Sequence, residues 1–206
     1  VRHWKAEGAG VRVSTDSAEY HGDRLIICGG AWSTDLLQTL GLPLTVRRVV
    51  TAWFPTDNPL HALEGGFPVF GFETPSGFFY GFPALDERGV KIACHEAGDL
   101  VDDPATVNRK VSESDVQPLR EFAAQYLPDL STHPGSSVVC LYTMSPDGHF
   151  ILDHHPEHEQ VVFAAGFSGH GFKFCPVIGS ILADSAIDGR TALPCDFLRL
   201  KRLYSS

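Results

Sequence analysis

The chain has 206 residues, of which 43% are hydrophobic and 20% are charged, and its formal net charge at pH 7 is -9. This length and composition predict an ordinary globular protein of one or two domains. The acidic balance argues against a nucleic-acid partner, because a phosphate backbone requires clustered Lys and Arg. The longest apolar runs, such as Val161 to Phe167, are strand-sized, so we expect no membrane span.

Cysteine usage and the first residues indicate a compartment. Five cysteines are widely spread without a C-x-x-C pair, which predicts neither a disulfide framework nor a zinc site. No basic segment precedes an apolar one near Val1, so we expect no signal peptide. The simplest expectation is a reducing, cytoplasmic environment.

The first elements in chain order are short strands followed by a helix. Val11 to Ser14 and Arg24 to Cys28 are predicted strands, and a polar turn through Thr15 to Gly22 follows the first of them. Two glycines end the second strand, and the next segment, Ser33 to Leu40, is predicted to be a capped helix. Strand, glycine and helix in this order are common in α/β sheets.

From Val46 the sequence alternates between apolar and polar residues and is rich in aromatic ones. The predicted strands are Val46 to Phe54, Val69 to Glu73, Phe78 to Phe82 and Val90 to Glu96. A Pro-Ser-Gly turn joins the second and third, so we expect an antiparallel meander. Ser112 to Leu127 is predicted to be an amphipathic helix, because its apolar residues recur at a period of 3.6.

The last third returns to an α/β pattern. Val138 to Tyr142 and Phe150 to Asp153 are predicted strands around the turn Ser145 to Gly148. The buried strand Gln160 to Ala165 leads through a glycine-rich run into a final apolar helix.

This order of elements predicts the α/β fold class, with one domain inserted into another. Residues 1–44 and 138–206 would form the outer α/β domain. Residues 45–137 would interrupt it with an antiparallel sheet and a helix.

The glycine-rich run Gly166 to Phe174 is the first candidate for chemistry. Its backbone N–H groups can approach an anion or a ring carbonyl at a positive helix N-terminus. The dinucleotide pattern G-x-G-x-x-G fails, since Phe174 stands where the third glycine is needed. Tight packing of helix on strand would also explain the glycines, but two cationic side chains, His170 and Lys173, favour a functional loop.

Two strands carry further candidates, each with an ordinary alternative. Strand alternation places Cys140 and Tyr142 on one face, and Lys91 and His95 on one face of another strand. A free cysteine is most often a small buried hydrophobe, and a strand lysine is most often a solvated charge at a sheet edge. A role for the lysine requires that it lie under a cofactor.

The segment Asp153 to His158 has the sequence Asp-His-His-Pro-Glu-His, which invites a metal hypothesis. The neighbours His154 and His155 point apart in an extended chain, and Pro156 prevents a helical i, i+4 pair. We therefore expect no metal ion here.

Four segments match one known pattern in order and with plausible spacing. They are Gly166 to Phe174, Cys140 to Asp153, Tyr80 to His95 and Asp23 to Trp32. Together they resemble the monomeric sarcosine oxidase and N-methyltryptophan oxidase family of FAD-dependent amine oxidases. They match its C-terminal signature, its flavin-attachment hairpin, its catalytic-sheet segment and its Gly-Ala-Trp turn. The first block is highly specific, whereas Gly-Ala-Trp alone is not.

The resemblance implies an FAD-binding α/β domain interrupted by a substrate domain with an antiparallel sheet. It implies oxidation of a small secondary amine or N-methyl amino acid, giving an imine and, with O₂, H₂O₂. The flavin performs the redox step and the protein supplies orientation and charge. Sarcosine, N-methyltryptophan, pipecolate and larger secondary amines stay open as substrates. For the intact enzyme the resemblance implies a monomer.

The resemblance also assigns roles to individual residues. It implies FAD joined to Cys140 through a thioether. It implies catalytic roles for Lys91 (oxygen activation), Tyr80, His95 and His170. Cofactor-binding positions implied besides Cys140 are Gly169, Gly171, Phe172 and Lys173. The substrate carboxylate would be held by Tyr142 and Lys173.

One departure from the family pattern bears on activity. The N-terminal G-x-G-x-x-G turn that seats the ADP half of FAD is absent from these residues, as is an N-terminal arginine that helps to bind the substrate carboxylate. We therefore expect a fragment, or a truncated product, that is inactive alone. The alternative function is a non-catalytic remnant that associates with other chains and binds no flavin.

Overall fold

A computed structural model describes residues 1–95, 98–127 and 129–204. The chain divides into two compact units: Val1–Val46 with Tyr142–Ser206, and Arg47–Leu141. We call them the outer unit and the inserted unit. No helix in the described ranges has both the length and the apolar character needed to cross a membrane.

Strands and helices follow one another in a mixed order along the chain. The strands are β1 (His3–Glu7), β2 (Gly10–Ser14), β3 (Glu19–Gly22), β4 (Leu25–Ile27), β5 (Thr45–Phe54), β6 (Phe70–Thr74), β7 (Gly77–Phe82), β8 (Val90–Cys94), β9 (Asp99–Val101), β10 (Ser136–Met144), β11 (Ile151–His155) and β12 (His158–Ala165). The helices are α1 (Ser33–Leu36), α2 (Glu113–Tyr126) and α3 (Cys175–Asp188). Short 3₁₀ segments lie at Gly30–Trp32, Gln38–Leu40, Pro59–His61, Phe172–Phe174, Asp196–Leu198 and Leu200–Tyr204.

The outer unit is built on two sheets. In the first, β1, β2 and β3 pair antiparallel in that order. In the second, β12 lies between β11, to which it is antiparallel, and β4, to which it is parallel. The second sheet is buried on both faces, and α3 covers one of them through Ile178 and Leu182, which pack with Val162 and Ala164. Its other face joins a separate core around Phe163.

The inserted unit is an antiparallel sheet with a helix on one face. Its strand order is β10-β5-β8-β7-β6, with β9 paired to β5. Alternate residues of the sheet pack on α2 in a core that contains Ile92, Phe79 and Phe122, and the Phe79 and Phe122 rings stack at 4.5 Å. A buried ion pair ties β5 to the start of α2, since Arg48 Nη1 lies 2.6 Å from Asp115 Oδ1.

Several predicted elements are confirmed. Helix α2 begins directly after Ser112, whose N–H donates to Asp115, and it ends before Leu127. The strands predicted from alternation coincide with β5 to β8 and with β12 to within two residues wherever they are described. The part of the fourth predicted strand at Glu96 lies outside the described residues.

Three expectations about local structure are wrong. The helix expected over Ser33 to Leu40 stops after one turn, because Leu37 leaves helical geometry to bury its side chain completely. The polar turn Thr15 to Gly22 contains β3, and β1 was not anticipated. The two strands predicted around Ser145 to Gly148 are present, but the hairpin that the resemblance implies there places them in different sheets, because β10 joins β5 and β11 joins β12.

Candidate active site

The sheet of the inserted unit has one face turned away from α2, and Lys91 lies on it. In the strand register, Lys91 is opposite Trp53 on β5 and opposite Phe82 on β7. Directly opposite residues in antiparallel strands point to the same side of a sheet. The neighbours of Lys91 along β8, Val90 and Ile92, point into the α2 core and are fully buried.

Lys91 is half-buried between two aromatic rings. Its Nζ lies 5.5 Å from the ring centroid of Trp53 and 5.4 Å from that of Phe82, within the range of a cation–π contact. Because β8 lies between β5 and β7, the alternative of a solvated charge on an edge strand does not apply to Lys91.

Tyr80 and His95 lie on the same face as Lys91. Tyr80 is two residues from Phe82 along β7, opposite Ala93 of β8. His95 follows β8 directly, and its N–H donates to the carbonyl of Phe78 at 2.8 Å. The Tyr80 and His95 rings meet edge to face with centroids 6.5 Å apart.

Cys140 faces the same side of this sheet from β10. Its Sγ lies 3.9 Å from Oγ1 of Thr51 on β5, and Thr51 is opposite Ala93, on the Lys91 face. Cys140 is half-exposed, whereas Cys94 is buried in the α2 core. The alternative interpretation, in which a free cysteine is a small buried hydrophobe, therefore describes Cys94 better than Cys140.

In the outer unit, the glycine-rich loop packs closely on Tyr142. Gly169 has φ +80°, and a Cβ atom added to it would lie 2.3 Å from Cε2 of the Tyr142 ring. Gly171 is similarly tight, because its Cβ would lie 2.4 Å from Cδ1 of Phe167. Close packing thus accounts for the absence of side chains at these two glycines, and it brings loop backbone against the buried Tyr142 ring.

Ser168 fixes the shape of this loop. It adopts φ +49°, an uncommon conformation for a residue with a side chain, and is 1% exposed. Its N–H donates to the carbonyl of Thr143 at 2.8 Å, and its Oγ accepts from the N–H of Ser145 at 3.2 Å. The loop and the turn that follows β10 are therefore held together by buried hydrogen bonds.

The turn after β10 is held by an ion pair as well. Arg202 Nε lies 2.8 Å from Oδ2 of Asp147. This hydrogen bond, with those from His149 and Ser145, lowers the pKa of Asp147 to about 2.

His170 points back to the same turn, while Phe172 and Lys173 are exposed. His170 Nε2 donates to the carbonyl oxygen of Gly148 at 3.1 Å, because a carbonyl can only accept. Its ring packs on Phe150 at 4.9 Å. Phe172 is 92% exposed, and the exposed Lys173 places Nζ 5.6 Å from the Phe174 ring.

The sequence pattern of the FAD dependent oxidoreductase family, abbreviated DAO, matches residues 1–185. The chain belongs to this family. It is 41% identical over 185 residues to monomeric sarcosine oxidase of Bacillus sp. strain B-0618, covering 88% of this chain and 47% of that protein. Over 206 residues it is 34% identical to N-methyl-L-tryptophan oxidase of Escherichia coli O139:H28, covering 98% and 53%. The chain therefore spans about half the length of the relatives it matches.

Solved structures agree on the fold. The open form of NikD, an amino acid oxidase of nikkomycin biosynthesis, superposes with a TM-score of 0.80 at 24% identity, covering 96% of this chain and 53% of NikD. Glycine oxidase of Geobacillus kaustophilus gives 0.78 at 24% identity, covering 98% and 51%. The chain therefore has an incomplete FAD-binding α/β fold, as the sequence predicts.

The donor set on the Lys91 face fits a flavin. A half-exposed thiol at Cys140 offers a nucleophilic sulfur, and Lys91 offers a fixed ammonium on the same face. Tyr80 adds a phenol that can donate or accept a hydrogen bond. These are groups that an electron-accepting heterocycle with ring carbonyls can use.

The histidine segment Asp153 to His158 has a packing role. The rings of His155 and His158 stack at 4.7 Å, and Trp4 meets both edge to face. Burial lowers the pKa of His155, and nearby His158 lowers it further. Across the described residues, no group of three or more His, Cys, Asp or Glu side chains is arranged to hold a metal ion.

The structure groups the predicted site residues by unit. In the inserted unit it brings together Tyr80, Lys91, His95 and Cys140. In the outer unit the glycine-rich loop packs on the Tyr142 ring through Gly169, on Phe167 through Gly171 and on the neighbouring turn through His170, with Phe172 and Lys173 at its exposed end. Residues that sequence reasoning missed are Thr51, Trp53, Arg88, Ser145 and Ser168. Of these, Thr51 and Trp53 left a signal, since they alternate along one predicted strand.

Proposed function

We propose that the whole protein is an FAD-dependent oxidase of a secondary amine or N-methyl amino acid. The observation that carries the proposal is the placement of Cys140 and Lys91 on one face of the inserted sheet, away from its core. Curated relatives named sarcosine oxidase and N-methyl-L-tryptophan oxidase support this substrate class.

When bound, FAD would supply the redox chemistry: two-electron oxidation of the amine C–N bond to an imine, with O₂ as the final electron acceptor and H₂O₂ as the second product. Cys140 would hold the cofactor through a thioether, for which its half-exposed sulfur is accessible. Reduction of O₂ develops negative charge, which the Lys91 ammonium would stabilise without having to reorganise. Tyr80 and His95 would orient the reacting groups from the same face.

A carboxylate-bearing substrate needs partners for its charge when it leaves water. We assign that role to Lys173, with the Tyr142 hydroxyl as a donor, and an active-site role to His170. Gly169 and Gly171 would let the loop backbone approach the cofactor. Phe172 and Lys173 would bind the cofactor from the same loop. Exposure of Lys173 leaves its ammonium accessible to a ligand.

We further propose that the outer unit is part of the FAD-binding domain and that the inserted unit is the substrate domain. The sequence-based limits for these domains are 1–44, 45–137 and 138–206. We also propose that the intact protein is a monomer in the cytoplasm.

The function is tested on the whole purified protein under anaerobic conditions. Sarcosine or N-methyl-L-tryptophan should bleach the visible flavin absorbance, whereas glycine, which lacks the N-methyl group, should not. Admission of air should restore the colour and release H₂O₂. A colourless protein, or a coloured one that no secondary amine bleaches, would contradict the proposal.

The attachment at Cys140 is tested separately by acid precipitation of the coloured protein. We expect the flavin in the pellet for the parent and for a Cys175→Ala control, because Cys175 is an exposed cysteine elsewhere in the chain. The Cys140→Ala variant should release its flavin into the supernatant. Flavin that stays in the Cys140→Ala pellet would show that another residue carries it.

A further inference from the structure

Lys91 sits in a line of alternating aromatic and cationic groups. Trp53 and Phe82 flank it directly in the strand register, and each ring centroid lies within 5.5 Å of Nζ. The Trp53 ring also carries the guanidinium of Arg88, whose Cζ lies 4.6 Å from the centroid. Arg88 is in turn held by the carboxylate of Asp86, with Nη2 2.6 Å from Oδ2.

We propose that Trp53 and Phe82 are positioning residues that fix the ammonium of Lys91, and that Arg88 fixes the orientation of the Trp53 ring. The inference rests on the proposed function, because it gives this arrangement a purpose in the reaction with O₂. It does not require any of the three residues to touch the cofactor.

The physical argument begins with the lysine side chain. Its four-carbon stem is flexible, so an isolated lysine on a sheet surface samples many rotamers. A cation is attracted to the face of an aromatic ring, and tryptophan attracts it most strongly. Rings on both neighbouring strands therefore confine the ammonium to the line between them.

These rings are not required for the core of the unit. The core on the α2 face is built from the residues that alternate with them, such as Ala52, Phe54 and Ile92. Trp53 and Phe82 are half-buried on the opposite face. Burial of apolar area does not explain why Trp53 and Phe82 flank the single lysine of β8. Their attraction for the Lys91 ammonium explains this placement better.

Confinement of Lys91 would matter chiefly in the oxidative half-reaction. A preorganised cation stabilises developing negative charge without a reorganisation cost, whereas a mobile one must first be ordered. Loss of one aromatic neighbour should therefore slow flavin reoxidation and leave flavin reduction by the amine nearly unchanged.

The test uses the whole flavin-containing protein and a Trp53→Leu variant, with Trp53→Phe as the conservative replacement. Stopped-flow measurement should show reoxidation slowed roughly 3- to 30-fold in Trp53→Leu, the factor that a cation–π contact of ordinary strength supplies. Trp53→Phe should recover most of the rate. Arg120→Gln, which removes a surface ion pair with Glu113 on α2, is the matched control and should change neither half-reaction.

A second readout follows the position of Lys91 independently of catalysis. Reductive methylation with ¹³C-formaldehyde keeps the lysine charge, and the Lys91 signal is assigned by its loss in Lys91→Arg. Aromatic ring currents should shift this signal upfield in the parent. Trp53→Leu should move it towards the signals of exposed lysines, and Arg88→Gln should move it part of the way in the same direction.

The outcomes separate this inference from the proposed function. If Lys91→Met reoxidises at the parent rate, the oxygen role of Lys91 is wrong, but the ¹³C signal still tests whether the rings hold the ammonium. An unmoved Lys91 signal in Trp53→Leu, or equal slowing of both half-reactions, overturns the positioning role. If Trp53→Leu fails to fold, the Arg88→Gln signal decides, since Arg88 is exposed and outside the core.

Discussion

The contact between Gly169 and Tyr142 predicts a large loss in the free energy of unfolding when a side chain is added at Gly169. Replacing Gly169 by Ala imposes two costs, one from the backbone and one from packing. The backbone has φ +80°, and the new Cβ would lie 2.3 Å from Cε2, 2.5 Å from Cδ2 and 2.7 Å from Cζ of Tyr142. Gly148 provides a matched control, because it has φ +72° and no atom within 4 Å of an added Cβ.

The two costs can be estimated separately. A left-handed conformation costs an alanine about 1–2 kcal/mol, and this applies to both variants. Insertion of a methyl group into a packed site costs about 1–3 kcal/mol more, and this applies only to Gly169→Ala, because the Tyr142 ring is buried and cannot swing freely into solvent. We therefore expect a loss of about 2–5 kcal/mol for Gly169→Ala and about 1–2 kcal/mol for Gly148→Ala.

The measurement is urea unfolding of the chain followed by tryptophan fluorescence. A Trp53→Phe background leaves Trp4 and Trp32, both in the outer unit, as the reporters. The free energy of unfolding comes from the midpoint and slope of each curve. Equal losses for Gly169→Ala and Gly148→Ala would refute the packing argument and leave only the backbone conformation.

Three further predictions concern the ion pair, the core and the N-terminal sheet. The hydrogen bond from Arg48 lowers the pKa of Asp115 to about 2, so the ion pair stabilises the folded chain above pH 4 and loses this effect as the pH falls towards 2. Asp115→Asn should lower the free energy of unfolding by about 2 kcal/mol at pH 7. Urea titrations at several pH values should also show a weaker dependence of that free energy on pH in this variant. The Phe163 ring is fully buried, so Phe163→Ala should lower the free energy of unfolding by about 3–5 kcal/mol in thermal or urea unfolding. The Phe197 ring is 65% exposed, so Phe197→Ala should change this free energy by less than about 0.5 kcal/mol. Trp4→Phe removes a 2.6 Å hydrogen bond to a carbonyl of α1 and should cost about 1 kcal/mol, while an unchanged value would show that ring packing alone holds β1.

Local patterns predicted most of the regular structure, and non-local pairing explains the errors. Alternation located β5 to β8 because one face of that sheet is buried on α2, which forces apolar residues to every second position. Strands β1 and β3 have exposed or half-exposed side chains, so backbone pairing forms them without an apolar pattern. The partner of β10 is β5, about 90 residues earlier, which no local turn signal could reveal.

The candidate site could be foreseen only where one strand carries it. The strand predicted over Val138 to Tyr142, which carries Cys140, is part of β10, and the resemblance named the residues of the glycine-rich loop. The neighbours that define the environment of Lys91, namely Trp53 and Arg88, come from another strand and from a turn. Their contacts depend on strand register, which a single sequence does not specify. The left-handed conformation of Ser168 has no composition signal either.

The sheet of the inserted unit has one face in the core and one face away from it, and this division shows which positions a directed-evolution library can vary. On β8 the odd-numbered positions face away from the helix and the even-numbered ones face towards it, and on β7 this parity is reversed. A library that varies only Phe78, Tyr80 and Phe82 would therefore explore altered chemistry with little loss of folded protein. Inserting a single residue between Val90 and Lys91 would reverse the faces of the residues that follow it, so that Lys91 faced the core and Ile92 the opposite side.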